Sequence, residues 1–290
     1  MLGLEDLEIG LMFWAETNAR KTLAEVKQFG LRAGQLGFPG SLALDGAAEN
    51  WDEALTAERF VAITAVCSYI GEDYSDISAV RSTVGLVPRA TRAERVARTE
   101  AVSDVAAKLG IDSVACHIGF IPEAPGNPVY REIRDAAREI CDRCGANGQF
   151  FTLETGQEPA RVLLRFMEDV DRPNLKINFD PANMILYGTG DPIEALDLLG
   201  KYVISVHCKD GDWPPMDQPA SLGIERALGE GAVDFPGFLS KLKEIGYRGA
   251  LCIEREEGNH DSRARDIRQA IQFIERLKNP TAIRTDIQAE

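Results

Sequence analysis

Eight short apolar runs, separated by segments of helical period, constrain this chain more than any other feature of its sequence. They are Glu8–Trp14, Ala33–Phe38, Phe60–Cys67, Ser113–His117, Gln149–Glu154, Leu175–Asp180, Tyr202–His207 and Gly249–Glu254. Several are almost continuously hydrophobic, the pattern of strands covered on both faces. Helical period falls between them. Thr91–Leu109 carries Val96, Val102, Val105, Ala106 and Leu109, and Gly110 supplies the stop. Tyr130–Cys144, Pro159–Val170, Pro192–Leu199, Asp234–Ile245 and Asp261–Leu277 read the same way. Pro159 and Pro192 suit a first helical turn, and Asp234 suits an N-cap. Ala47–Glu58 gives only a short helix, so the second unit is less regular.

Eight alternating units predict an α/β chain folded as a single (β/α)8 TIM barrel, one domain over residues 1–290. A doubly wound open sheet is the competing fold, but no G-x-G-x-x-G follows a strand. The least regular stretches, Gly71–Arg89 and Gly211–Gly231, follow strands three and seven. Both therefore belong to the face on which barrel enzymes keep their sites.

Composition narrows the partners. Lys and Arg number 32 against 46 Asp and Glu, a formal charge of −14, which opposes nucleic acid. No apolar run approaches the length of a membrane span. The N-terminus is acidic at Glu5, Asp6 and Glu8 and lacks the plan of a signal peptide, so a cytoplasmic protein is expected. Of six cysteines, Cys116, Cys208 and Cys252 fall inside strands as small hydrophobes. Cys141 and Cys144 form a lone C-x-x-C, and reduced thiols are the expectation throughout.

Four runs end on Glu154, Asp180, His207 and Glu254, at gaps of 26, 27 and 47 residues. The first two gaps are one strand–helix unit each, and the third contains the Pro/Gly-rich insertion. In a barrel these four residues line one arc of the mouth, on strands five to eight. A single carboxylate at a strand end is usually a cap or a surface charge. Several packed together repel one another unless a cation is present. Carboxylate oxygens with one imidazole nitrogen suit an open divalent-metal site, Mn²⁺ first, with Mg²⁺, Co²⁺ and Zn²⁺ as alternatives. Glu154 and Glu254, three strands apart, would flank a bound ligand from opposite sides.

These residues lie in the motifs Leu153-Glu154-Thr155-Gly156-Gln157-Glu158, Asn178-Phe179-Asp180-Pro181-Ala182-Asn183, Val206-His207-Cys208-Lys209-Asp210, Leu228-Gly229-Glu230-Gly231 and Ile253-Glu254-Arg255-Glu256. With Cys116-His117-Ile118-Gly119, they resemble the xylose-isomerase-like TIM-barrel superfamily of sugar isomerases and epimerases. The resemblance implies that Glu154, Asp180, His207 and Glu254 bind the metal and that the two glutamates double as acid and base. It implies proton abstraction α to a carbonyl through a metal-stabilised enediolate. The chain departs from the ketose 3-epimerases of this superfamily at Asn183 and Trp213, where those enzymes have a substrate-binding histidine and arginine. The same site in a lyase or dehydratase of a keto-sugar, keto-glycoside or inosose is therefore the alternative. A catalytically inactive barrel serving as a partner subunit is a minor one. The apurinic endonucleases of the superfamily need more histidines than the three present here. A small carbohydrate, whether a polyol, a keto-sugar or its phosphate, is the expected partner, and homo-oligomers are common among such barrels.

Further candidates surround the arc. His117 could act as a general base or hydrogen-bond donor, or be a wall histidine. Lys209, two residues past His207, could neutralise an oxyanion, or pair with Asp210 or Glu230. Glu158 and Asn183 are candidates for substrate contact, though Glu158 also suits the first turn of the next helix. Trp14 could stack on a sugar face, and Arg226 could meet an anionic group. His260 reads as a solvated loop residue.

Overall fold

A computed structural model describes residues 3–218 and 221–279, leaving the extremities of the 1–290 span and two residues of the insertion outside the described residues. Strands and helices alternate in the order β1 (Ile9–Trp14), α1 (Ala19–Lys27), β2 (Ala33–Phe38), α2 (Ala47–Glu58), β3 (Val61–Cys67), α3 (Ile77–Thr83), α4 (Arg92–Lys108), β4 (Ser113–Cys116) and α5 (Pro128–Ala146). They continue through β5 (Phe150–Glu154), α6 (Ala160–Val170), β6 (Leu175–Phe179), α7 (Pro181–Leu186), α8 (Pro192–Leu199), β7 (Val203–Cys208), β8 (Asp210–Asp212), β9 (Ile224–Arg226), α9 (Phe235–Glu244), β10 (Leu251–Ile253) and α10 (His260–Lys278). Strands β1 to β7 and β10 close into a parallel barrel, with β10 paired to both β7 and β1. The architecture is a single (β/α)8 barrel.

All eight predicted strands are present, with ends shifted by a residue or two. Strand β4 stops at Cys116, so His117 opens the following loop. Asp234 caps α9 by accepting from the Gly237 N–H, and Pro192 opens α8. Pro159 is the N-cap of α6, one place earlier than a first-turn proline. His260 is exposed as expected, but it begins α10 behind the Asn259 cap rather than lying in a loop. Three helices, α1, α3 and α7, lie outside the helical segments that the sequence pattern marks. The insertion after β7 also contains a small antiparallel hairpin, β8–β9.

The main core fills the annulus between strands and helices. Phe151, Phe166, Phe179 and Phe238 are completely buried there, each burial contributing about 1.5–3 kcal/mol. Barrel interiors are usually packed with branched aliphatic side chains. Here a separate apolar cluster of only Met12, Val66 and Ala115 lies on β1, β3 and β4. Gln35, Thr64, Thr152, Asn178, Ser205 and His207 are buried polar side chains of the strands. All six cysteines are buried and unpaired, Cys141 and Cys144 included. No helix among the described residues is long and apolar enough to cross a membrane.

Candidate metal centre

The strand ends bring the four ligand candidates together. Glu154 is the last residue of β5, and His207 is the penultimate residue of β7. Glu254 follows β10 and extends its ladder by donating its N–H to the Cys208 carbonyl. Asp180 follows β6 and is also the N-cap of α7. Its Oδ1 accepts from the Asn183 N–H at 3.0 Å, and Pro181 fills the first turn, where no N–H is needed. Thr155 fixes this end to β5, its hydroxyl donating to the Asp180 carbonyl and accepting from the Asp180 N–H. Gly156 allows the close approach, since a Cβ there would meet the Asn183 Cβ at 2.8 Å, and its φ of +152° suits glycine alone.

One ligand atom from each residue lies within 4.8 Å of all the others. His207 Nδ1 is 3.2 Å from Glu254 Oε2, 3.4 Å from Glu154 Oε1 and 3.6 Å from Asp180 Oδ2. A cation bound at about 2.0–2.2 Å by each ligand holds adjacent ligand atoms about 3 Å apart, so the spacing fits a divalent ion. The hydrogen bonding agrees. His207 Nδ1 and Asp180 Oδ2 are buried without a hydrogen-bond partner, a costly arrangement unless a cation engages them.

A polar brace below the four residues orients the imidazole. Asn178 Oδ1 accepts from Ser205 Oγ at 2.7 Å and from Gln35 Nε2 at 3.0 Å. These bonds leave Gln35 Oε1 as the acceptor facing His207 Nε2 at 2.9 Å. Asn178 Nδ2, also near that ring nitrogen, has Glu154 Oε2 as its acceptor at 3.4 Å. One proton is thereby assigned to Nε2, and Nδ1 faces the carboxylates, where it can take either a cation or a second proton. Gln35 and Asn178 belong to the site without ending a strand, so the strand-end pattern does not mark them. Strand alternation places Asn178 on the same face as Asp180, a usable signal; for Gln35 the only signal is a polar residue within a buried strand.

Burial and mutual charge set the protonation preferences. Burial pushes the Asp180 carboxyl up. Burial also opposes ionisation of Glu254, but His207 and Lys209 outweigh it and hold that carboxyl well below its ordinary value. At Glu154 burial is likewise overcome, by His117 and His207, and the carboxyl is lowered. His207 is raised well above its ordinary value, because Glu254 and Glu154 outweigh a burial that favours the neutral ring.

The remaining candidates divide by position. His117, Lys209, Asn183 and Trp14 line a cavity of about 480 Å³ above the four residues. His117 Nε2 is 3.3 Å from Glu154 Oε1, while Gln157 Nε2 lies 3.2 Å from Nδ1. Asn183 donates to Glu154 Oε1 at 3.1 Å. Lys209 donates to Glu254 Oε2 at 3.1 Å and to Glu256. These are its partners rather than Asp210 or Glu230. Asp210 instead accepts the N–H groups of Gly211, Gly229, Gly231 and Val233, fixing the base of the insertion. Glu158 is buried and precedes α6, with Oε1 accepting from the Ile121 N–H at 3.3 Å and Oε2 unpartnered. It is not among the residues lining the cavity. Neither is Arg226, which is exposed and paired with Asp212 at 2.6 Å. Trp213 also lies outside the lining and is exposed. Tyr74 and Tyr187 line the cavity unforeseen, because tyrosines in irregular segments carry no periodic signal.

The model of the xylose isomerase-like TIM barrel family matches residues 23–277. A xylose isomerase domain protein from Planctomyces limnophilus has a crystal structure that superposes with a TM-score of 0.88 at 38% identity, covering 95% of this chain and 99% of that one. A xylose isomerase-like TIM-barrel protein from Mycobacterium smegmatis, solved in complex with magnesium, shares the fold at 17% identity. Its TM-score is 0.71, with 97% and 99% of the two chains covered. The inosose dehydratase of Geobacillus kaustophilus is 30% identical over 132 residues, 42% of this chain and 42% of that protein. Three curated relatives are matched over 57%, 34% and 42% of their own lengths, so none is spanned to two thirds.

Proposed function

This chain belongs to the xylose isomerase-like TIM-barrel family, and from that premise we propose that it is a divalent-metal isomerase or epimerase of a small carbohydrate. The observation that carries the reading is the convergence of Glu154 and Glu254, from strands three places apart in the barrel, on one imidazole nitrogen. Glu154, Asp180, His207 and Glu254 would hold the ion, taken as Mn²⁺. When bound, it would polarise substrate oxygens and stabilise the negative charge of an enediolate.

The chain's own groups supply the rest. One of the two glutamates takes the proton from the carbon α to the carbonyl, and the other delivers a proton to the neighbouring position or the opposite face. His117 Nε2, beside Glu154, can donate to a substrate oxygen or pass a proton to that carboxylate. Lys209 keeps Glu254 ionised and in place. Trp14, Tyr74 and Tyr187 offer apolar surface to the C–H face of a sugar and help exclude water.

A second reading uses the same proton abstraction but expels a β-hydroxyl, making the protein a dehydratase or related lyase. The matched segment of inosose dehydratase favours it, as does Asn183 in place of a histidine. Incubation of the Mn²⁺-loaded protein with keto-sugars and inososes in D₂O, followed by NMR, separates the two. Deuterium incorporation without loss of water supports isomerisation or epimerisation; an unsaturated product supports the lyase. Absence of both across the panel would remove both readings and leave the inactive barrel.

A further inference from the structure

The cavity is lined by Glu72, Glu154, Glu225, Glu254, Glu256 and Glu257, and Asp180 lies beneath it among the metal ligands. Lys209 is the sole Lys or Arg among the described lining residues. Its ammonium is already committed to Glu254 Oε2 at 3.1 Å and to Glu256. Nearby guanidiniums are committed as well: Arg95, 5.2 Å from the ring of the lining residue Tyr69, donates to the Thr83, Gly85 and Ile70 carbonyls. Arg226 pairs with Asp212 at 2.6 Å, and Arg255 is shared between Glu225 at 2.5 Å and Asp266 at 3.0 Å. A divalent ion and Lys209 together offset three of the seven carboxylates. Arg255 and Arg95 can offset at most two more, so the excess remains negative.

Binding a phosphate or carboxylate requires free cationic forks, ammonium groups or converging N–H donors. This cavity offers mostly acceptors. Acceptors suit the hydroxyl groups of a neutral polyol, whose C–H faces can lie against Trp14, Tyr74 and Tyr187. We propose, resting on the reading above, that the site selects an uncharged polyhydroxy ketone or polyol and rejects its phosphate ester or sugar acid. Glu256 is the specificity-determining residue, because together with Glu254 it occupies the one lysine that could otherwise receive an anion.

The field can be measured apart from any reaction, since Trp14 lines the cavity and Trp51 is only 1% exposed. In the Mg²⁺-loaded Trp213→Phe protein at low ionic strength, caesium and acrylamide should quench Trp14 efficiently and iodide several-fold less. Adding Glu256→Gln should raise iodide quenching about two-fold and leave acrylamide unchanged. Equal quenching by iodide and caesium overturns the proposal, as does a variant that alters all three quenchers alike. A second arm compares fructose with fructose 6-phosphate on the Mn²⁺-loaded protein in D₂O. Exchange confined to the free sugar supports the proposal, and equal exchange in the phosphate overturns it. If neither sugar exchanges while iodide remains excluded, the charge selectivity stands and the loss falls on the isomerase reading.

Discussion

The two halves of the barrel mouth are made of different materials. The arc of β5, β6, β7 and β10 contributes all four ligand candidates, each at or beside a strand end. The arc of β1 to β4 contributes Met12, Trp14, Val66, Tyr69 and Tyr74 to the cavity, with His117 where the arcs meet. One arc concentrates charge that a cation could balance; the other supplies mainly surface and shape. Substitutions on the first should abolish chemistry, and those on the second should change only how well a substrate is held.

The largest contrast is expected at Glu254. Glu254→Gln should lower turnover by about 10²–10⁴-fold and reduce bound metal, as read by steady-state kinetics and elemental analysis. A variant that retained both would erase the distinction between the arcs. Glu158 tests whether burial beside the charged arc is enough to make a carboxylate part of it. Burial pushes this group from its ordinary 4.5 up to about 8. The folded protein therefore keeps a proton that the unfolded chain releases, so stability should fall as pH rises from 4.5 to about 8 and level off above that. The total change is a few kcal/mol, and Glu158→Gln should flatten the curve of urea midpoint against pH without changing metal content.

Gln35 sharpens the comparison from the other side, because it stands on the apolar arc yet serves the charged one. Gln35→Leu should weaken metal binding by about 10–100-fold. Chelator competition measures the affinity, and ¹⁵N NMR of the imidazole should show the loss of a single fixed tautomer. Trp14→Ala should raise KM about ten-fold with kcat nearly unchanged. Arg226→Ala should leave both within about two-fold, as expected of an exposed ion pair.

The same division explains what could be read from sequence. Glu154, Asp180, His207 and Glu254 stood out because ionisable groups at matched ends of apolar runs are costly to pack together without a purpose. Tyr74, Tyr187 and Met12 did not, because an apolar or aromatic residue looks the same in a core and in a substrate wall. Helix α7 was hidden because Pro181–Leu186 continues directly from an apolar strand, and Asp180 serves at once as ligand candidate and cap. Helix α1 does carry a helical period, with Ala19, Leu23 and Val26 buried at i, i+4 and i+7, but its nine residues repeat it for only about two and a half turns. The pairing of Gln35 with His207 spans 172 residues and becomes visible only once the barrel has closed.

That long-range pairing has a thermodynamic consequence. The brace and the four ligand candidates draw on β2, β5, β6, β7 and the end of β10, so the complete coordination shell exists only in the assembled fold. An ion recognised there and not by the unfolded chain becomes a clasp on the closed barrel. Well above its dissociation constant, each ten-fold rise in free metal adds about 1.4 kcal/mol to the apparent folding free energy. The persistence of the fold would then depend on metal supply, independently of whether any sugar is present.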